Sequence, residues 1–304
     1  MKTLTAPVKA LNLTSWFVIS PAETGIPDYS VLEEAMETQT AILHETGNVN
    51  QLEIENLGKV DLLIQAGDIV KGGRQDRALG ADFIVPSQIG RVPIPVFCVE
   101  AGRWHKRNRE SDIHFSSSSD FVSSKKLRTA LGTSKSQQAV WKSVQEEQDK
   151  MGQSLGVDAA SEDSPSSLLL SYEKMNNAEA IRGYLEALED RASESTTGVI
   201  WAINGKLSHA DTYATPKLFH KVWRKLLRAA AFEAVGESNQ PAGASEPSSA
   251  DVSKWLEESA KLHSEVESLP PRTRLLTRKT ETQLRFETHD TTASAPVHIS
   301  VLAQ

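Results

Sequence analysis

The stretch Gly67–Trp104, GDIVKGGRQDRALGADFIVPSQIGRVPIPVFCVEAGRW, decides how this chain is read. It holds a glycine pair, a basic cluster, two apolar runs and the only cysteine. Residues 82–86 and 91–99 are short apolar runs bounded by Gly, Pro and Ser, the signature of strands. In the second run Val92, Ile94, Val96 and Cys98 share one face, and Phe97 and Val99 the other. Both faces are apolar near its end, so both are predicted to be covered. Pro93 and Pro95 remove backbone donors from one side of this strand, which predicts a sheet edge.

Upstream, the β pattern continues. Residues 11–20 (LNLTSWFVIS) read as a strand. Residues 40–45, 50–56 and 60–65 read as three more, separated by hairpin-like breaks at Gly47-Asn48 and Gly58-Lys59. Leu52 and Ile54 alternate with Glu53 and Glu55, so one face of that strand is dry and the other wet, as in an antiparallel sheet. Ser30 and Glu33 have the spacing of a capping box before a short helix.

Downstream of Trp104 the composition changes. HKRNRESDIHFSSSSDFVSSKKLR reads as a long loop or mobile connection. Residues 137–151 form a helical stripe through Trp141, Val144, Gln148 and Met151. Residues 152–164 read as a linker, after which Ser164 and Pro165 open a helix running to Leu188. Residues 197–203 and 206–210 flank Asn204-Gly205, a strong hairpin signal. A helix follows Pro216, with Trp223 on its apolar stripe. Residues 236–250 have the composition of a disordered linker. A helix over 251–269, with Trp255 and Leu262 in register, is stopped by Pro270-Pro271. Residues 273–287 and 296–303 are β-like.

The predicted fold is α+β. An antiparallel β-rich half, sandwich or barrel-like, spans 1–110. A mixed helical and hairpin region spans 111–304, with its last strands free to return to the sheet.

Composition bounds the function. The chain has 304 residues, 39% of them hydrophobic and 24% charged, with a formal net charge of −7. That balance argues against general nucleic-acid binding, since phosphate backbones reward basic surfaces. One cysteine allows no internal disulfide and fits a reducing compartment. No apolar run spans a bilayer and no leader segment is evident, so a soluble cytoplasmic protein is expected. HExxH, CxxC, Walker A and GxSxG patterns are missing, and His209-x-Asp211 lacks a third ligand, so no metal site is expected.

Two groups of residues carry candidate chemistry. Lys71, Arg74 and Arg77 lie beside Gly72-Gly73, with Gln75 and Asp76 between the arginines. Glycines admit a ligand close to the backbone, and guanidinium groups suit phosphate or carboxylate, so this is a candidate anion cradle. The same residues fit, on residue types alone, a tight turn whose arginines pair with Asp76 and nearby glutamates better than they fit a cradle. At the strand end, Cys98 and Glu100 are candidates for nucleophile and base. Cys98 also fits the ordinary role of a small buried apolar residue. Arg103 and Trp104, with His105, Lys106, Arg107 and Arg109, could neutralise and stack on a nucleotide, or form a solvated loop.

These residues resemble a known family. Gly67-Asp68, Gly73-Arg74-Gln75-Asp76-Arg77, Cys98-Val99-Glu100 and Gly102-Arg103-Trp104 are similar to the motifs of a bacterial domain family of unknown function. That family is named for its association with ADP-ribosylglycohydrolases and rhodanese-phosphatase-superfamily proteins. Phe97 stands where the family has a small polar residue. The segments QQAVWKSV and GVIWAINGKLSHADTY are also similar, and the resemblance spans most of residues 11–235. It implies a place in NAD or ADP-ribose-linked metabolism or in conflict systems, with a nucleotide or ADP-ribose-like ligand at Lys71, Gly73, Arg74, Gln75, Asp76, Arg77, Arg103 and Trp104. Any cofactor is left unknown. Two other readings stay open: a hydrolase using Cys98 or Glu100, and an assembly module in which an exposed edge strand pairs with a second copy.

Overall fold

The structure is a computed structural model. It describes residues 2–105, 115–134, 136–156, 158, 166–176, 178–241, 245–261 and 263–304, with the backbone alone at 116–120. The fold is α+β and dominated by antiparallel sheets. It divides into two compact units, residues 1–27 with 180–304, and residues 28–179. The expected boundary near residue 110 therefore falls inside the second unit.

The first unit is built on a nine-stranded sheet. Leu13–Ile19 pairs with Thr196–Ile203, which forms a hairpin with Lys206–Tyr213 across Asn204-Gly205. Both turn residues have positive φ, 52° and 74°, the geometry Asn-Gly provides at low steric cost. His298–Ala303, Gln283–Asp290, Thr273–Lys279 and Glu265–Leu269 extend the sheet beyond Lys206–Tyr213. Its central strands read as continuous apolar runs because both faces are covered. On one face Phe17 and Trp201 pack against Trp223 of the helix Pro216–Gly236, with ring centroids 5.4 and 5.8 Å apart. On the other, Trp16, Val18, Ile200 and Val301 pack with Val252 of the helix Ser249–Ala260, and Trp255 lies against this cluster. Both tryptophans thus serve the core, as their helical spacing implies.

The second unit carries the candidate residues. A six-stranded sheet runs in the order Phe115–Val122, Asp68–Gly72, Arg77–Leu79, Ile89–Cys98, Gln51–Asn56, Ala41–Glu45. A three-stranded sheet runs Phe83–Val85, Asp61–Ile64, Tyr29–Val31. The helix Gln137–Leu155 buries Val140, Val144 and Met151. Full burial of each such side chain contributes about 1.5–3 kcal/mol.

Several expectations need correction. Ile89–Cys98 is not an edge over its whole length. Its first part pairs with Gln51–Asn56 and its end with Arg77–Leu79. Val96 N–H points to the Asn50 carbonyl, so the missing donors of Pro93 and Pro95 face the other side. There Arg77–Leu79 begins only opposite Val96. The prolines thus mark a half-open strand. Gly58-Lys59 joins two sheets rather than closing a hairpin, because Asp61–Ile64 pairs with Phe83–Val85 and Tyr29–Val31. Phe115–Val122 is a strand on Asp68–Gly72, not a loop. Its serines offer no alternation for a pattern reading to find.

Ser30 donates to Glu34 instead of capping, and Val31 is the N-cap. The single helix expected up to Leu188 is two, Leu168–Met175 and Glu179–Leu188, the first capped by Ser167. Ser164 and Pro165 lie outside the described residues, as does part of the expected 152–164 linker. The last helix stops at Ala260, and Glu265–Leu269 is a strand. Leu262 lies outside the described residues. Within 236–250, residues 242–244 also lie outside them, while Glu246 bonds Lys9 and Thr14 and Ser248 caps the next helix.

Candidate functional site

The turn after Asp68–Gly72 organises the site. Gly72 and Gly73 have φ of 122° and 58°. A Cβ on Gly73 would lie 2.8 Å from Phe115 Cζ and 3.2 Å from Glu45 Oε2, so only glycine fits there. The turn is closed by Asp76, whose Oδ1 accepts the Gly72 N–H at 3.2 Å. Asp76 Oδ2 accepts the Ser167 hydroxyl at 3.0 Å. Val99 N–H bonds the Asp76 carbonyl, tying the turn to the end of Ile89–Cys98.

The turn and the end of Ile89–Cys98 come together. Glu100 is fully buried, and its Oε2 accepts the Asp76 N–H at 3.2 Å. The same oxygen lies 2.6 Å from Arg103 Nη2, which also stands 3.5 Å from Asp76 Oδ1. Gln75 donates its amide to the Glu100 carbonyl at 2.9 Å. Arg77, wholly buried, donates Nη1 to the Gln75 carbonyl and lies 3.5 Å from Glu45 Oε2. Burial pulls the Arg77 guanidinium below its ordinary pKa, against the opposing pull of Cys98 and Glu45. Lys71 reaches Glu173 at 2.7 Å.

Guanidinium and carboxylate therefore alternate in a buried network, with Glu45, Asp76 and Glu100 facing Arg77 and Arg103. Such pairs hold only when nearly every donor and acceptor is met, since an unpaired buried charge is costly.

Arg74 differs. It is half-buried, and its side chain has no carboxylate partner among the described residues. Its Cζ stands 5.5 Å from the centroid of the Trp104 ring, and Arg77 Cζ stands 5.6 Å from the same ring. Both lie within cation–π range. Trp104 is 41% exposed, the only aromatic among the exposed large hydrophobic residues described. The turn thus presents an indole plate with two arginines against it, one of them carrying charge that no described acid offsets. His105 passes its carbonyl to Arg103 Nη1 at 2.6 Å. Lys106, Arg107 and Arg109 lie outside the described residues.

Cys98 is fully buried. Its thiol donates to the Glu100 carbonyl at 2.8 Å, and its backbone is bracketed by the Gln137 amide at 2.8 and 2.7 Å. Burial pushes the thiol pKa up, more than the Glu100 hydrogen bond and Arg77 pull it down. A nucleophilic thiolate needs the opposite environment. Glu100, clamped between Arg103 and the Asp76 N–H, is held as an anion acceptor.

Three residues missed by sequence reasoning complete the network: Glu45, Ser167 and Gln137. Each comes from a segment distant in the chain; Gln137 lies in QQAVWKSV, a segment similar to the family, but nothing in the sequence singled out the residue itself. His209 and Asp211, weighed as metal ligands, lie in the first unit. There Asp211 Oδ1 is 3.2 Å from His298 Nε2, and His209 Nδ1 is 3.8 Å from Glu233. Among the described residues no group of three or more His, Cys, Asp or Glu is arranged to hold a metal. No helix among them is long and apolar enough to cross a membrane.

No curated protein and no solved structure matches the chain. A family model does, over residues 3–301, which takes in both units and every residue of the site. The motifs that converge around Glu100 thus sit in a chain that belongs to the ARG and Rhodanese-Phosphatase-superfamily-associated Protein domain family, a family linked by name to ADP-ribosylglycohydrolase and rhodanese-phosphatase proteins.

Proposed function

We propose that the corner formed by Gly73, Arg74 and Trp104 binds a phosphorylated, nucleotide-like ligand. The Trp104 indole stacks on a planar ring of the ligand, and the Arg74 guanidinium takes its phosphate. The observation that carries this reading is the Arg74–Trp104 pair: an exposed indole beside a guanidinium with no described carboxylate on it. Base–aromatic stacking contributes about 1–3 kcal/mol. A hydrogen bond to a charged group contributes about 1.5–3 kcal/mol.

The other residues expected to bind act differently in this account. Gln75, Asp76, Arg77, Glu100 and Arg103 form the frame that fixes the turn, and Lys71 is engaged by Glu173. Arg77 contributes positive charge beneath the indole. The family's link to ADP-ribosylglycohydrolase proteins makes ADP-ribose the first ligand to try.

Thermal denaturation in the presence of ADP-ribose, ADP, AMP, ribose 5-phosphate and inorganic phosphate tests the reading. A ligand that binds only the folded chain raises Tm. The expected result is a rise with ADP-ribose or ADP that exceeds the rise with phosphate, and that disappears in Arg74→Ala and Trp104→Ala. Both side chains reach solvent, so both variants fold. No rise with any of the five, or a rise kept in both variants, overturns it.

A further inference from the structure

We propose that Glu265–Leu269, the outermost strand of the nine-stranded sheet, takes up an extended basic peptide of a partner protein as a further strand. The sheet ends at this strand. Its pairing with Thr273–Lys279 runs over all five residues without a register shift and occupies one of its two edges. The other edge meets no strand among the described residues. A row of main-chain N–H and C=O groups left in this way is a template for another chain.

Other sheet edges are short or covered. Thr3–Leu4 has two residues, and Tyr29–Val31, Ala41–Glu45 and Phe83–Val85 each bury most of their side chains. Among the edge strands with described side chains, Glu265–Leu269 is the one of three or more residues with none buried. Natural edges are protected by Lys, Pro or a bulge. The run Glu-Val-Glu-Ser-Leu contains no Lys or Pro, and its pairing has no bulge.

Alternation sets what such a strand accepts. Glu265 and Glu267 point to one face, Val266 and Ser268 to the other. Glu267 also makes a contact within its own chain, so Glu265 carries most of the charge recognition. Val266 is 58% exposed and stands opposite the half-buried Leu276, at the end of an apolar row that one more strand would extend. Opposite charges across neighbouring strands stabilise them, and like charges destabilise them. The matching peptide therefore places an apolar residue opposite Val266 and Lys or Arg opposite the glutamates. The same rule disfavours a second copy. Full-length antiparallel pairing of this strand with itself sets Glu267 against its own counterpart, and sliding it back by one pleat sets Glu265 against Glu267. A strand this short also buries far less surface than a stable dimer needs.

Fluorescence anisotropy of labelled peptides on the full chain, at fixed ionic strength, tests the inference. The probes are a Lys-Val-Lys-Val-Lys peptide, a peptide of the same composition with its lysines together, and two forms of the first N-methylated on alternate residues, one in each phase. The expected result is saturable binding of the first peptide, lost on methylation in one phase and kept in the other, because a strand directs alternate N–H groups to one side. Binding is weaker for the rearranged peptide, and falls about fivefold or more in Glu265→Lys, where an attractive cross-strand pair becomes repulsive. Glu265 is exposed, so this variant folds. Arg74→Ala binds the peptide as the unmodified chain does, so failure here and failure of the Trp104 site are separable. The inference is overturned by no saturable binding, by equal binding of the rearranged peptide, by the same response to methylation in both phases, or by unchanged affinity in Glu265→Lys. A dimer seen by light scattering and lost in Val266→Asp would give the edge to a second copy and also overturn it.

Discussion

Replacing Glu100 by Gln keeps the side chain's shape and removes its charge. Arg103 then loses the carboxylate 2.6 Å away, and the carboxylate left to it among the described contacts is Asp76 Oδ1 at 3.5 Å. Glu100 and Arg103 are both buried, so solvent cannot compensate. Breaking a buried pair by removing one partner costs about 3–5 kcal/mol, and the surviving Asp76 contact places this case near about 3 kcal/mol. In a unit of this size 1 kcal/mol moves Tm by about 2–4 °C, so the expected fall is roughly 6–12 °C. Scanning calorimetry of the full chain reads it directly. The double variant Glu100→Gln with Arg103→Met removes the stranded charge and recovers much of the loss. An unchanged or raised Tm in Glu100→Gln would refute the reasoning. It would mean that Glu100 is a strained group held for chemistry rather than a strut.

Other outcomes follow from the same contacts. Cys98 in the native chain resists iodoacetamide at pH 7 and reacts on unfolding, as mass spectrometry of the labelled peptide will show; rapid native labelling contradicts its burial. Gly73→Ala combines a positive φ with a 2.8 Å approach to Phe115, and lowers stability by about 1–3 kcal/mol in urea melts, whereas Lys71→Ala, which removes a partly exposed ion pair, shifts it by less than about 1 kcal/mol. Glu287 stabilises the first unit through its lowered pKa. Burial alone would raise that pKa from the ordinary 4.5, but the His289 and Arg285 contacts and the charges of Arg285 and Arg278 bring it to about 2. A depressed carboxylate contributes fully above its unfolded pKa. The contribution, about 1–2 kcal/mol after solvent screening, is therefore lost as pH falls from about 4.5 towards 2, and Glu287→Gln flattens that part of the stability–pH curve.

How much of this was legible beforehand depended on whether the signal was local. Asn204-Gly205, the Leu52/Ile54 alternation and the Pro216 helix start were readable because a turn, a face or a cap is written in adjacent residues. Phe115–Val122 was not, since a serine-rich strand is fixed by its neighbour Asp68–Gly72 rather than by its own pattern. The strand Glu265–Leu269 was hidden because its Glu-rich sequence also suits a helix, and only pairing with Thr273–Lys279 decides it. Asp76, Arg77, Glu100 and Arg103 stood out beforehand by residue type and by the family resemblance, but the division of labour among them did not. It depends on Glu45, Ser167 and Gln137, which arrive from remote segments and decide which charges are already matched.

The central claim is that Arg74 and Trp104 form the working surface and the buried network only holds them. Calorimetric titration of ADP-ribose into the full chain and into Arg74→Ala tests this most directly. The account predicts saturable binding by the unmodified chain, weakened about tenfold or more in Arg74→Ala through loss of one charge-assisted contact, with Tm without ligand unchanged. Saturable binding of equal strength in both chains, or no heat from either, would contradict it.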